Sequence, residues 1–275
     1  LNEQHRLSVR LRIFFLSMDI NNDIPLLTQR INNSFDRFGN PMMKTSGIGE
    51  FATNWPLFGP VTTPPNYQAA LNLVAASGRT FQQHSLSSAE DSLTLSTFQA
   101  ANAVTPIAPL HWSIAHVPHI TQANVNAFKA LGAGIAVHPF EYLSGALTGP
   151  AGPPFRTIVD SGVMVGAGSD SAQISTLNPW NMIYYMVTGT NVAGHLVNAG
   201  QLLTRQEAIR LYTAANGWFI NEEDKLGSIE QGKYGDLVVL NADYFDSFAV
   251  PDASLRQLHS VLTVVDGKVV FDGLH

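Results

Sequence analysis

The chain has no cysteine among its 275 residues, which excludes disulfides and thiolate metal sites and leaves the redox compartment open. Charge is sparse, at 13% of residues, and leans acidic: 15 Lys and Arg against 21 Asp and Glu give a net charge of −6. No Lys/Arg cluster is present that could track phosphates, so a nucleic-acid partner is not expected. No apolar run reaches the 18 residues of a membrane span. The opening "LNEQHRLSVRLRIFFLS" interleaves basic with apolar residues and lacks a small-residue cleavage site, unlike a secretory leader. A soluble protein is expected, with the compartment undetermined, the cytoplasm ahead of the periplasm. What the chain does have is apolar material, 45% hydrophobic, enough for a large core.

That material is distributed as a strand–helix alternation of roughly thirty residues. Strands are expected at 8–17, 41–46, 79–85, 111–117, 132–140 and 163–170, and helices at 24–35, 67–77, 88–102, 121–131 and 155–162. Such alternation means parallel strands with crossover helices, as a doubly wound sheet or a (β/α) barrel. The last quarter differs. Thr204 and Glu207 have capping-box spacing ahead of a helix over 204–220. A strand follows over 234–241, and "SVLTVVDGKVVFDG" (260–273) reads as a hairpin turning at Asp266-Gly267. The expected division is a barrel portion, 1–222, and a small β portion, 223–275.

Polar residues stand where the apolar strands stop: Lys44, His84, His116, His138 and Asp170. In a barrel these positions share the rim that carries the active site. Each has an ordinary alternative: Asp170 as the cap of a turn, His84 and His116 as satisfied buried histidines, Lys44 as a surface lysine. His138, before Pro139, is expected to line a pocket. Two neutral imidazoles on successive strands suit a divalent metal. Trp55, Phe58, Phe140 and Tyr142, in the loops 47–65 and 140–154, point to a pocket that tolerates apolar or aromatic substrates.

The order Lys, His, His, Asp on successive strand ends resembles the amidohydrolase superfamily of metal-dependent hydrolases. The tail "TRQEAIRLYTAANGWFINEEDKLGSIEQGKYGDLVVLNADYF", with Gly227-Ser228-Ile229, Gly232-Lys233 and Asp236 to Leu240, is similar to the end of that superfamily's third group, the YtcJ-like proteins. The resemblance implies an α/β fold, a TIM-type (β/α)8 barrel with a β-sandwich appendage. It also implies one or two divalent ions, zinc first, and hydrolysis of an amide-like C–N bond in a small molecule. Carried over by position, His84 and His116 are the metal ligands of the fifth and sixth strands. Asp170 is the eighth-strand aspartate, both metal neighbour and proton shuttle. Lys44 would be a carboxylated lysine bridging two metals. His138, as a pocket residue, is expected to contact the substrate. A metal lowers the pKa of water from 15.7 toward roughly 7 and polarises a carbonyl.

Three departures stand out. No two histidines have the His-x-His spacing of the superfamily's first strand. The strand candidates up to 170 number about six rather than eight, so the chain is expected to supply strands 3 to 8. "HSLSS" follows Gln83 where His-Ala-x-Gly-Asp is usual. A complementing N-terminal segment or a homo-oligomer is therefore expected. The alternative is a truncated or degenerate member, inactive without that segment. A third reading takes "GAGSD" as a phosphate loop, but an aspartate there would repel phosphate.

Overall fold

A computed structural model describes residues 6–18, 23–55, 66–144, 152–171 and 174–274. Phe58 and residues 145–151 of the loop over 140–154 lie outside them. The elements in chain order are β1 (Leu11–Phe15), α1 (Ile24–Asn32), β2 (Gly39–Asn40), β3 (Met43–Ile48), α2 (Tyr67–Ala76), β4 (Gln82–Ser85), α3 (Ser88–Val104), β5 (Ser113–His116), α4 (Gln122–Ala130) and β6 (Gly134–Val137). They continue with α5 (Glu141–Ser144), α6 (Phe155–Ser161), β7 (Val165–Ala167), α7 (Pro179–Thr188), α8 (Arg205–Tyr212), β8 (Leu237–Leu240), β9 (Ser260–Val265) and β10 (Lys268–Asp272). The chain forms two compact units. The first comprises Leu1–Ala136, Ser161–Met164 and Phe219–Asn221, and the second Val137–Asp160, Val165–Trp218 and Glu222–His275.

In the first unit β1 runs parallel to β3, and β4 parallel to β5. An isolated parallel bridge, Ile48 to Phe81, links β3 to the start of β4. The helices begin where the sequence supplies caps. Asp23 Oδ1 accepts the Leu26 N–H at 2.9 Å, Ser87 Oγ that of Glu90 at 3.3 Å and Thr121 Oγ1 that of Asn124 at 3.2 Å. These bonds satisfy amides that a helix start leaves open. Behind the strands Phe81, Phe98, Trp112 and Phe128 pack ring against ring, with centroids 5.0–6.0 Å apart. All four are fully buried, the kind of cluster that contributes more than its area alone. Gly47 is needed where β3 passes β4, because a Cβ there would lie 2.5 Å from the Thr80 carbonyl oxygen.

The strand expected over 8–17 is shorter, and its burial is partial: Leu11 and Ile13 are exposed. Apolar sequence made the strand, and the neighbours decided how much of it is covered. The strand expected over 41–46 instead spans Met43–Ile48, with consequences for the site.

In the second unit the Gly168 N–H donates to the Val137 carbonyl at 3.0 Å. Beyond β7, Tyr212 and Asn216 donate to the carbonyls of Gly168 and Ala167, each at 2.9 Å. The capping box of α8 forms as its spacing predicts. Strands β8, β9 and β10 make an antiparallel sheet in the order β10-β9-β8. Its hairpin turns at Asp266 and Gly267, both with positive φ (56° and 72°), the left-handed pair a two-residue turn demands. Among the described residues no helix is long and apolar enough to cross a membrane.

Candidate metal centre

His84 is the third residue of β4, and His116 the last of β5. Their register is offset by one: His84 pairs with Ala115, and Ser85 with His116. Regular pleating would send the two side chains to opposite faces. His116 leaves its strand with φ 72° and Val117 follows at 51°, and the rings meet with centroids 4.5 Å apart. Left-handed backbone at two non-glycine residues, one of them β-branched, is costly, and such strain concentrates at functional sites.

Between the imidazoles lies Glu50, two residues beyond β3. Its Oε1 is 2.5 Å from His84 Nδ1 and 2.8 Å from His116 Nε2. The His84 backbone N–H also donates to the Glu50 carbonyl, at 3.2 Å. Burial pushes the Glu50 carboxyl up, but the hydrogen bonds from His116 and His84 and their charge hold it well below the usual carboxylate range. Both histidines are buried, while the Glu50 side chain is 36% exposed. The centre is dry on the imidazole side and open on the carboxylate side.

The donor set fits a divalent cation. Two imidazole nitrogens and one carboxylate oxygen lie within 4.8 Å of one another, and ligand bonds of about 2.0–2.2 Å can converge from such a cluster. Three protein ligands of this type leave a coordination position free, as catalytic rather than structural zinc sites do. Among the described residues this is the one cluster of its kind.

The cluster does not include the other expected residues. Lys44 is the second residue of β3, paired with Arg12 and Gly39. It lies at the amino end of that strand, four residues or about 13 Å before its last residue. The carboxyl end delivers Glu50 instead. The rule that singled out the other residues, a polar side chain where an apolar strand stops, also selects Glu50 once the strand is carried to Ile48. Placing its end at 46 left Glu50 in a loop. Asp170 follows β7 in the second unit, with φ 52°. His138 follows β6 in the same unit, its ring so close over Gly168 that a Cβ there would lie 2.9 Å from Nε2. Of the expected pocket aromatics, Trp55 is buried against Tyr67, with centroids 5.0 Å apart, and Tyr142 is buried beside Tyr184 and Tyr185.

Comparison with known proteins agrees with this chemistry. The chain is 31% identical over 119 residues to the N-substituted formamide deformylase of Arthrobacter pascens, covering 43% of this chain and 21% of that one. It is also 31% identical over 121 residues to the putative amidohydrolase YtcJ of Bacillus subtilis, 43% of this chain and 22% of that one. The chain thus spans about a fifth of the length of these two relatives. Its fold resembles that of a mutant of the atrazine chlorohydrolase TrzN from Arthrobacter aurescens, complexed with zinc and atraton. The TM-score is 0.70 at 17% identity, over 99% of this chain and 63% of that one. The amidohydrolase family itself matches over residues 26–271. The chain belongs to the amidohydrolase family.

Proposed function

We propose that the protein is a metal-dependent hydrolase of an amide-like C–N bond, with Glu50, His84 and His116 as ligands of a divalent ion. The observation that carries this reading is the single oxygen of Glu50 shared by two imidazoles from neighbouring strands. Zinc is the first candidate, because imidazole and carboxylate donors in this number suit it. Bound there, such an ion supplies Lewis-acid polarisation of the substrate and lowers the pKa of water toward roughly 7.

The chain's own residues do the rest. His84 and His116, rigid and buried, fix the direction of approach, and the partly exposed Glu50 carboxylate leaves one side accessible. Asp170 is assigned the proton transfer, accepting a proton from the attacking water on an Oδ and returning it to the leaving nitrogen. Its place beyond β7 and the resemblance support that role. His138 is assigned a substrate contact from its place after β6, against Gly168. The deformylase named above favours N-substituted formamides as the first substrates to try.

The test is turnover by the full-length protein on panels of N-substituted formamides, N-acyl amines and cyclic amides. Activity should be lost on chelation, return with zinc, and fall at least about 10²-fold in Asp170→Asn. Turnover that survives both chelation and Asp170→Asn would overturn the mechanism.

A further inference from the structure

The first turn of α3 carries two adjacent buried acids, Glu90 and Asp91, that the reading above leaves without a task. Both oxygens of Glu90 are engaged. Oε2 accepts the Leu86 N–H at 2.5 Å, and Oε1 accepts the Trp55 indole N–H at 3.4 Å. Asp91 Oδ1 accepts the Ser85 hydroxyl at 2.7 Å. Ser85 and Leu86 directly follow His84. Trp55 lies five residues after Glu50 along the chain. Between them the two acids therefore reach two of the three segments that deliver the centre's ligands, those of Glu50 and His84.

Helix capping accounts for part of Glu90's placement, since it follows the Ser87 cap by three residues and reaches back to the Leu86 N–H. It does not account for the burial of both acids. Acids near a helix start gain about 0.3–1 kcal/mol from the macrodipole, and can do so exposed to water. Ser87 already caps α3. Burying two adjacent carboxyls costs far more unless each is well partnered, and Asp91 Oδ2 has no hydrogen-bond partner. An arrangement this costly points to a requirement for fixed strand ends.

We propose that Glu90 and Asp91 are positioning residues for the metal centre, Asp91 holding the His84 segment through Ser85 and Glu90 tying that segment to the one carrying Glu50. The inference rests on the reading of Glu50, His84 and His116 as ligands. Outer contacts that fix ligand orientation typically change metal affinity 10–100-fold.

The experiment titrates metal-free full-length protein with Co²⁺, following heat and the visible ligand-field bands. Each variant is measured well below its own melting temperature. Ser85→Ala, Asp91→Ala and Glu90→Ala should each bind about 10–100-fold more weakly with altered bands. Asp91→Asn should bind nearly as wild type, because its amide oxygen still accepts from Ser85. Combining Ser85→Ala with Asp91→Ala should cost no more than either alone, since both remove one bond. If Glu50→Gln and His84→Ala abolish binding while the Ser85 and Asp91 variants bind as wild type and merely melt earlier, the positioning role is overturned. If Glu50→Gln and His84→Ala also bind as wild type, the ligand assignment falls and the positioning role with it.

Discussion

Strands β5 and β8 are equally short, Ser-Ile-Ala-His against Leu-Val-Val-Leu, yet they live in opposite surroundings. Every residue of β5 is buried, whereas Leu237, Val238 and Val239 of β8 are all exposed. Apolar, β-branched sequence makes a strand in either place. What lies on its two faces decides whether a polar side chain at its end is ordinary or costly. At the end of β5 an imidazole is buried with a carboxylate for a partner, while β8 ends among exposed residues. A polar residue closing a buried strand therefore carries more functional information than one closing an exposed strand.

The carboxylates sharpen the same contrast. Glu50 is held low by two imidazoles. Burial instead pushes Asp91 up to about 7, against the Ser85 hydrogen bond and with help from Glu90, and in the second unit burial pushes Glu141 up to about 7. Glu207, on α8, is held down to about 2 by Arg156, which meets it through two hydrogen bonds at 2.7 and 2.9 Å.

Phe98→Ala should break the comparison most severely. It opens the four-ring cluster of the first unit and should cost about 3–5 kcal/mol, read from denaturant midpoints. Gly47→Ala comes next. Its Cβ meets the Thr80 carbonyl, so β3 must shift, and an overpacking cost of about 1–3 kcal/mol is expected together with weaker metal binding.

The pH dependence follows. Between about pH 4 and 7 the folded protein holds protons on Asp91 and Glu141 that the unfolded chain has released, so their effect is to lower stability as pH rises through that window and to level off above it. Asp91→Asn and Glu141→Gln should each flatten the decline, by about 1.4 kcal/mol for every tenfold change in proton affinity removed. Glu207 acts in the opposite sense. Its contribution is complete above its ordinary range and is lost as pH falls toward 2, so Glu207→Gln should remove part of the loss on acidification. The smallest effect is expected from Val239→Ala on exposed β8, within about 1 kcal/mol. A loss as large as that of Phe98→Ala would show that this face is covered in the folded protein and would dissolve the contrast.

Much of this was legible in the sequence, and the residues show why the rest was not. The caps at Thr121 and Thr204 and the turn at Asp266-Gly267 are local chemistry. They mark where α4 and α8 begin and where the last hairpin turns, although the helix expected over 204–220 stops at Tyr212. His84 and His116 were legible because a polar side chain interrupts an apolar run at the end of a strand. Glu50 was missed because β3 is weakly marked: Lys44, Thr45, Ser46 and Gly47 are poor evidence for a buried strand, so its end was set two residues early. The partial burial of β1 is not legible for a different reason, since exposure depends on neighbours that a strand's own letters do not encode. The meeting of the two imidazoles despite their offset register depends on the left-handed backbone at His116, which no periodicity announces.

The central claim is that Glu50, His84 and His116 share one cation. It is tested most directly by anomalous diffraction at the zinc edge from crystals of the full-length protein grown with zinc. The account predicts a peak about 2.0–2.2 Å from an oxygen of Glu50 and a nitrogen of each histidine. A fully occupied zinc site elsewhere, with the Glu50 oxygen still hydrogen-bonded to both imidazoles, would contradict it.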